Sequence, residues 1–216
     1  MFIPISIIYS EFSYKELFFM DTRTKWNTKH KNRLKQIEFP VANPRLKNLS
    51  LYLHGGTVLD LACGLGGNSL LLARMNYQVQ AVDISEVAIN FLREQAVRTQ
   101  LNIMPQECDL KDLNNLSWKE NSFDLAVITY YLDRELFPFL KNIIKEDGYV
   151  FFETYYLNSQ NENQGISKQY KLEPQELLKE FRDWNVLFFE ENEQEGRQTI
   201  FARKVKGKAN HDPISE

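Results

Sequence analysis

Apolar and polar positions along the chain follow two periods, and the switch between them marks a strand–helix succession from Thr57 onward. Short apolar runs read as strands over Thr57–Leu61, Gln78–Val82, Asn102–Glu107, Phe123–Thr129 and Tyr149–Thr154. Phe123–Thr129 is continuous apart from one acid near its start, the pattern of a strand covered on both faces. Between these runs, apolar residues at helical spacing predict helices over Asn68–Met75, from a Ser85 cap through Thr99, and over Glu135–Lys145, where Asp147-Gly148 ends the last. Arg45–Leu53 reads as a helix stopped by Gly55-Gly56. Asn158–Gly165 reads as a loop, and Pro174 opens a further helix at its first turn. Trp184–Glu190 and Gln198–Lys204 then form a hairpin across Glu191–Gly196. Five rounds of alternation and a terminal hairpin predict an α/β doubly wound sheet, mostly parallel, with one antiparallel strand.

The ends of the chain add little to that domain. Phe2–Tyr9 is apolar but lacks a basic flank and a cleavage site, and Glu11 closes it, so a signal peptide is not expected. Met20 reads as the natural start, which makes 1–19 an expected upstream extension with little structure. Residues 20–56 are expected to form a helical flap, 57–206 the main domain and 207–216 a disordered tail. With 216 residues, 43% hydrophobic and 25% charged, the chain has the composition of a soluble globular protein. A net charge of −3 argues against a dedicated nucleic-acid binder. The two cysteines, Cys63 and Cys108, form no CxxC and are expected as free thiols in a reducing cytoplasm. No apolar run approaches membrane-spanning length, about 18 residues or more. Thr22–Gln36 concentrates Arg23, Lys25, Lys29, Lys31, Arg33 and Lys35 around His30. It reads either as a solvated helix face or as a flap offering cations to an anionic substrate.

The chemistry begins where the first strand runs into Gly64, Gly66 and Gly67. A strand, a tight turn without side chains and a helix start together let a ligand lie against backbone. Neither frame of this loop completes the dinucleotide pattern: from Gly64 the sixth position is Ser69, and from Ala62 the first glycine is missing. No phosphate-binding Gly-x-x-x-x-Gly-Lys-Ser/Thr is present either. Asp60 at the strand end would sit badly beside a pyrophosphate but suits a methionine ammonium or an ordered water. Asp83, just past the second strand, suits ribose hydroxyls, and Asp109, past the third, suits an adenine amine beside Leu110. Three acids at three successive strand ends point to S-adenosyl-L-methionine.

The stretch Val58-Leu59-Asp60-Leu61-Ala62-Cys63-Gly64-Leu65-Gly66-Gly67-Asn68-Ser69 resembles motif I of the class I S-adenosylmethionine-dependent methyltransferases. Ala81-Val82-Asp83-Ile84-Ser85 resembles their second motif, Cys108-Asp109-Leu110 their third, and Leu116–Asp124 the approach to their fourth strand. Ala62 stands where the family usually has glycine. The resemblance implies a Rossmann-like seven-stranded sheet of order 3-2-1-4-5-7-6 with strand 7 antiparallel. It carries cofactor contacts onto Asp60, Ala62, Cys63, Gly64, Gly66, Asn68, Ser69, Asp83, Ile84, Asp109, Leu110 and Thr129. Tyr130–Pro138 followed by Gly148–Thr154 is similar to a bacterial small-molecule branch near the tellurite-resistance methyltransferases.

Methyl transfer from a sulfonium requires mainly that a nucleophile be aligned and water excluded. A thiolate or a metalloid oxyanion needs no base; a hydroxyl or amine does. Tyr130, Tyr131 and Glu153 are the catalytic candidates, with Arg134 as an anion contact and Tyr155 and His30 nearby. The Asn/Asp-Pro-Pro-aromatic segment of many base and glutamine methyltransferases is absent after the fourth strand, and no cluster has metal-ligand spacing. The expected function is a cytoplasmic methyltransferase acting on a small molecule or metalloid oxyanion. An RNA methyltransferase using Arg23–Lys35 and Arg203–Lys208 on phosphates is the alternative, and a non-catalytic cofactor-binding subunit a second one. The acceptor itself and the oligomeric state stay open.

Overall fold

Strands β1 (Gly56–Leu61), β2 (Tyr77–Asp83), β3 (Ile103–Glu107), β4 (Phe123–Thr129), β5 (Ile144–Tyr155), β6 (Asn185–Asn192) and β7 (Arg197–Arg203) form one sheet. Their order is β3-β2-β1-β4-β5-β7-β6. All neighbours run parallel except β7, which is antiparallel to both β5 and β6. Strand order and the reversed strand are as expected. A computed structural model describes residues 21–36, 39–115, 118–158 and 165–206, and the backbone alone over 113–115. The expectations for 1–19, for the tail from 207 and for most of the 158–165 loop lie outside the described residues.

The period-two alternation of the strands decides which helices they can hold. Val58, Val79, Val127, Phe151 and Phe201 face one layer, where they meet Leu46 of α2 (Pro44–Asn48), Leu70 and Leu72 of α3 (Gly67–Arg74) and Leu92 of α4 (Glu86–Thr99). Leu59, Leu61, Ala126, Ile128, Phe152 and Ile200 face the other, against Leu136 and Leu140 of α5 (Leu136–Ile143) and Leu177 of α6 (Glu176–Glu180). Both layers are buried, so the sheet is sandwiched. Because strand order reverses between β1 and β4, the chain leaves their carboxyl ends toward opposite layers. A crevice opens there, and ligands of such sheets bind in it. Helix α1 (Thr22–Leu34) crosses the same end of the sheet.

Most element ends fall within a residue or two of the sequence reading, and three places differ in kind. The helix expected over Arg45–Leu53 breaks into α2 and a 3-10 turn at Ser50–Tyr52. Helix α5 ends at Ile143, and Asp147-Gly148 lies inside β5 instead of terminating a helix. There the ladder to β4 jumps from Phe123↔Ile144 to Leu125↔Tyr149, while Asp147 N–H donates to the Lys204 carbonyl and Lys204 N–H to the Gly148 carbonyl. The turn pair thus serves a bulge held by Lys204, the residue just after β7. Pro174 precedes α6 by two residues, with Gln175 in the left-handed region at its start. Ser85 caps α4 as read: its Oγ accepts from Ala88 N–H. Among the described residues no helix is long and apolar enough to cross a membrane.

Candidate functional site

At the end of β1 the backbone turns through three left-handed residues, Ala62 (φ 53°), Gly64 (φ 54°) and Gly66 (φ 82°). The Cβ of Ala62 is strained in that region, which is the physical reason a glycine suits the position. Gly66 is constrained a second time: a Cβ on it would lie 2.3 Å from Leu92 Cδ1. Gly67 opens α3 where a Cβ would lie 2.3 Å from the Val41 carbonyl oxygen, so the glycine lets the 41–43 backbone pass against the helix start. Cys63 N–H donates to Val82 O, tying the loop to β2. Burial raises the Cys63 thiol well above its ordinary range, and it raises Cys108 too.

Asp60 is fully buried; its Oδ2 accepts from Ser69 Oγ at 2.5 Å, and its Oδ1 has no partner. Burial pushes this carboxyl up to about 7 against the Ser69 hydrogen bond, and the Asp83 charge adds to the rise. A buried acceptor without a donor is costly, roughly 1–3 kcal/mol. A cationic ammonium would satisfy the atom and hold the group ionised. Asp83 accepts Gly64 N–H on Oδ2 and Ser85 N–H on Oδ1, each at 2.8 Å, so it already binds two loops together. Burial raises its pKa, and the two backbone bonds oppose that. Each oxygen retains a second lone pair for a ligand hydroxyl. Cys108 N–H donates to Asp83 O, which draws the end of β3 alongside, with Asp109 following and accepting from Lys111 N–H. Leu110 is buried in the core with Leu61 and Val82. The three acids therefore stand at three adjacent strand ends, and the glycine turn, the unpartnered Asp60 oxygen and the spare Asp83 lone pairs fit an S-adenosyl ligand.

Helix α1 covers this donor side. Arg23 pairs with Glu107, and Asn27 Oδ1 accepts from Ser85 Oγ at 2.7 Å and from Val87 N–H at 3.3 Å. His30 is buried, stacks on Trp26 and packs over Gly64.

On the acceptor side, above β4 and β5, the structure gathers Tyr130, Glu153 and Thr129 but not Arg134. Thr129 Oγ1 accepts from Asn68 Nδ2 at 3.2 Å. Glu153 is fully buried, accepting from Asn43 Nδ2 at 2.7 Å and Thr199 Oγ1 at 2.9 Å, with Arg45 and Arg197 at 3.5 and 3.6 Å. Tyr130, in the left-handed region, lies under the Arg197 guanidinium, and its hydroxyl accepts from Asn43 and Arg197, both at 3.1 Å. Burial and then the Glu153 charge raise its phenol far above the ordinary value; burial and Asp133 do the same for Tyr131. Arg134 forks onto Glu176 at 2.7 and 2.8 Å and also donates to Lys171 O, so in this structure its guanidinium is engaged by an acid of the α6 start.

Sequence reasoning missed Asn43. Its Oδ1 caps α2 through Arg45 and Leu46 N–H, its Nδ2 reaches Glu153 and Tyr130, and its N–H donates to Asn68 Oδ1. An Asn before a Pro at a helix start signalled the cap. Nothing local signalled contacts to residues about a hundred positions away. Arg197, Thr199 and Asn27 were missed for the same reason.

Residues 58–147 match the family model described as a methyltransferase domain. The chain is 32% identical over 149 residues to the probable S-adenosyl-L-methionine-dependent methyltransferase TehB of Haemophilus influenzae, covering 66% of this chain and 50% of that protein. It is 33% identical over 136 residues to a ubiquinone biosynthesis O-methyltransferase of Coxiella burnetii, covering 60% of this chain and 56% of that protein. The chain thus spans about half the length of these relatives. The crystal structure of Haemophilus influenzae TehB superposes with a TM-score of 0.68 at 25% identity, covering 82% of this chain and 67% of that one. A SAM-dependent methyltransferase from Aquifex aeolicus shares the fold at a TM-score of 0.59 and 18% identity, over 83% of this chain and 98% of that one. The family resemblance read from the motifs is borne out.

Proposed function

We propose, from the match of residues 58–147 to a methyltransferase domain, that the chain binds S-adenosyl-L-methionine and methylates a small acceptor that arrives as a ready nucleophile, an oxyanion or thiolate. The observation that carries the donor half is the buried, unpartnered Asp60 Oδ1 beside the left-handed glycine turn. Asp60 holds the ammonium, Asp83 the ribose hydroxyls through its spare lone pairs, and Asp109 the adenine amine. Asn68 and Thr129 brace the crevice between β1 and β4. The bound donor supplies an electrophilic methyl on a sulfonium.

The acceptor half is supported by what the candidate side chains are committed to. Glu153 is enclosed by four donors, and the tyrosines keep their phenolic protons at neutral pH. None of these three is poised to remove a proton from a hydroxyl or amine. Tyr130, its hydroxyl held by Asn43 and Arg197, instead walls the acceptor side, and Tyr131 follows it as a protonated phenol. The relatives include a probable S-adenosyl-L-methionine-dependent methyltransferase and an O-methyltransferase, both consistent with a small acceptor.

The test is transfer of label from S-adenosylmethionine to a panel of metalloid oxyanions, small thiols, phenols and RNA. Turnover of an oxyanion or thiol is expected. Turnover of RNA alone, with strong salt dependence, would replace this reading. Tight donor binding without transfer to any class would make the chain a binding subunit.

A further inference from the structure

We propose that His30 completes the donor site from α1, donating its Nδ1–H to the carboxylate of a nucleoside ligand that carries an amino-acid end. The inference rests on the reading of the glycine loop as an S-adenosyl site. Helix α1 has one face turned to the strand ends, with Asn27 and His30 three positions apart on it. Asn27 is fastened to the start of α4 through Ser85 Oγ and Val87 N–H, and Arg23 to Glu107 at the end of β3. His30 is thereby set down on the loop between them, its Cε1 3.3 Å from where a Cβ on Gly64 would stand.

The ring is only 2% exposed, and its Nδ1 is buried without a partner. Trp26 stacks on the ring with centroids 5.8 Å apart, which accounts for its packing but satisfies no nitrogen. Burial, with Arg33 and Lys29 adding, lowers its pKa to about 4, so the imidazole is neutral and one nitrogen is free to donate. The loop is thus flanked by two orphaned buried polar atoms of opposite use, an acceptor on Asp60 of β1 and a donor position on His30 of α1. An amino-acid end presents an ammonium and a carboxylate on the same carbon. Once Asp60 takes the ammonium, the carboxylate beside it needs a donor. Among the described residues, His30 is a buried side chain packed over that loop whose Nδ1 has no partner.

The deciding comparison uses two ligands with the same nucleoside: S-adenosylhomocysteine, which has the amino-acid end, and 5′-methylthioadenosine, which lacks it. Calorimetry would give both affinities for wild type, His30→Phe and His30→Asn, with thermal unfolding as a folding check. His30→Phe retains stacking on Trp26 and should lose at least about tenfold in S-adenosylhomocysteine affinity, while methylthioadenosine binding stays within about twofold. His30→Asn keeps a donor near the Nδ1 position and should recover part of the loss. Equal losses for both ligands, or none for S-adenosylhomocysteine, would overturn the assignment of His30 alone. A wild-type protein that bound neither ligand would overturn the donor reading beneath it as well.

Discussion

The carboxylate of Asp83 accepts the amide hydrogen of Gly64 at 2.8 Å, so the loop after β2 holds the loop after β1 in shape. The residue read from sequence as a ligand contact therefore also builds the site. Asp83→Ala removes two charge-assisted hydrogen bonds, to Gly64 and Ser85, worth about 1.5–3 kcal/mol each. The variant should melt lower and bind S-adenosylhomocysteine at least about tenfold more weakly. A lowered melting point with unchanged calorimetric affinity would leave Asp83 a structural role only.

Asp60 joins stability and binding with opposite signs. Its carboxyl is raised from 3.8 to about 7, so the folded protein holds a proton there that the unfolded chain has lost. Stability from this group accordingly falls as pH rises from about 4 through about 7. Asp60→Asn, which can still accept from Ser69, should raise the melting point of the ligand-free protein at pH 8, by about 2–4 °C per kcal/mol recovered. The same change should weaken S-adenosylhomocysteine binding. Wild-type affinity should rise with pH through about 7 and then level off. A flat affinity profile between pH 5.5 and 8.5 would count against an ionised Asp60 as the ammonium partner.

Glu153 separates a structural acid from a catalytic one. Glu153→Gln leaves Arg45 and Arg197 facing a neutral amide and sets new donor hydrogens against Asn43 or Thr199. Breaking a buried pair of this kind costs about 3–5 kcal/mol, a fall of roughly 10 °C in melting point. An unchanged melt with slowed methyl transfer would restore Glu153 as a base.

Arg134 is expected to matter little. Its partner Glu176 and the guanidinium are both near solvent, and such a pair contributes about 0–1 kcal/mol. Arg134→Ala should shift the melting point by less than about 4 °C and keep transfer rates within about twofold. A large rate loss in a normally folded variant would show that the arginine leaves Glu176 to meet the acceptor.

The strands and the placing of three acids at their ends were legible because these signals are local. Phe123–Thr129 is apolar apart from Asp124 near its start and Thr129 at its end since both faces are covered, and Asp60, Asp83 and Asp109 stand within two residues of a strand's end. Asp147-Gly148 was misread because a turn pair at a helix end and one in a bulge look alike until Lys204 supplies the hydrogen bonds. The pairing of Arg134 was not legible, because a cation beside a strand end reveals nothing of Glu176, some forty residues on.

By itself, the order of residues determined the alternation of strands and helices and the acids at strand ends, while the strand order came from the resemblance of the motifs to a known family. Hydrophobic period, turn residues and acids at strand ends act within a few positions of one another. Only the tertiary structure decided the roles of Asn43, Arg45, Glu153, Arg197 and Thr199, and placed His30 over Gly64. Buried polar groups take whatever partners packing brings near, and the partners of Glu153 come from as far as residue 43. Such pairing depends on the folded distances between segments, which no local pattern along the chain encodes.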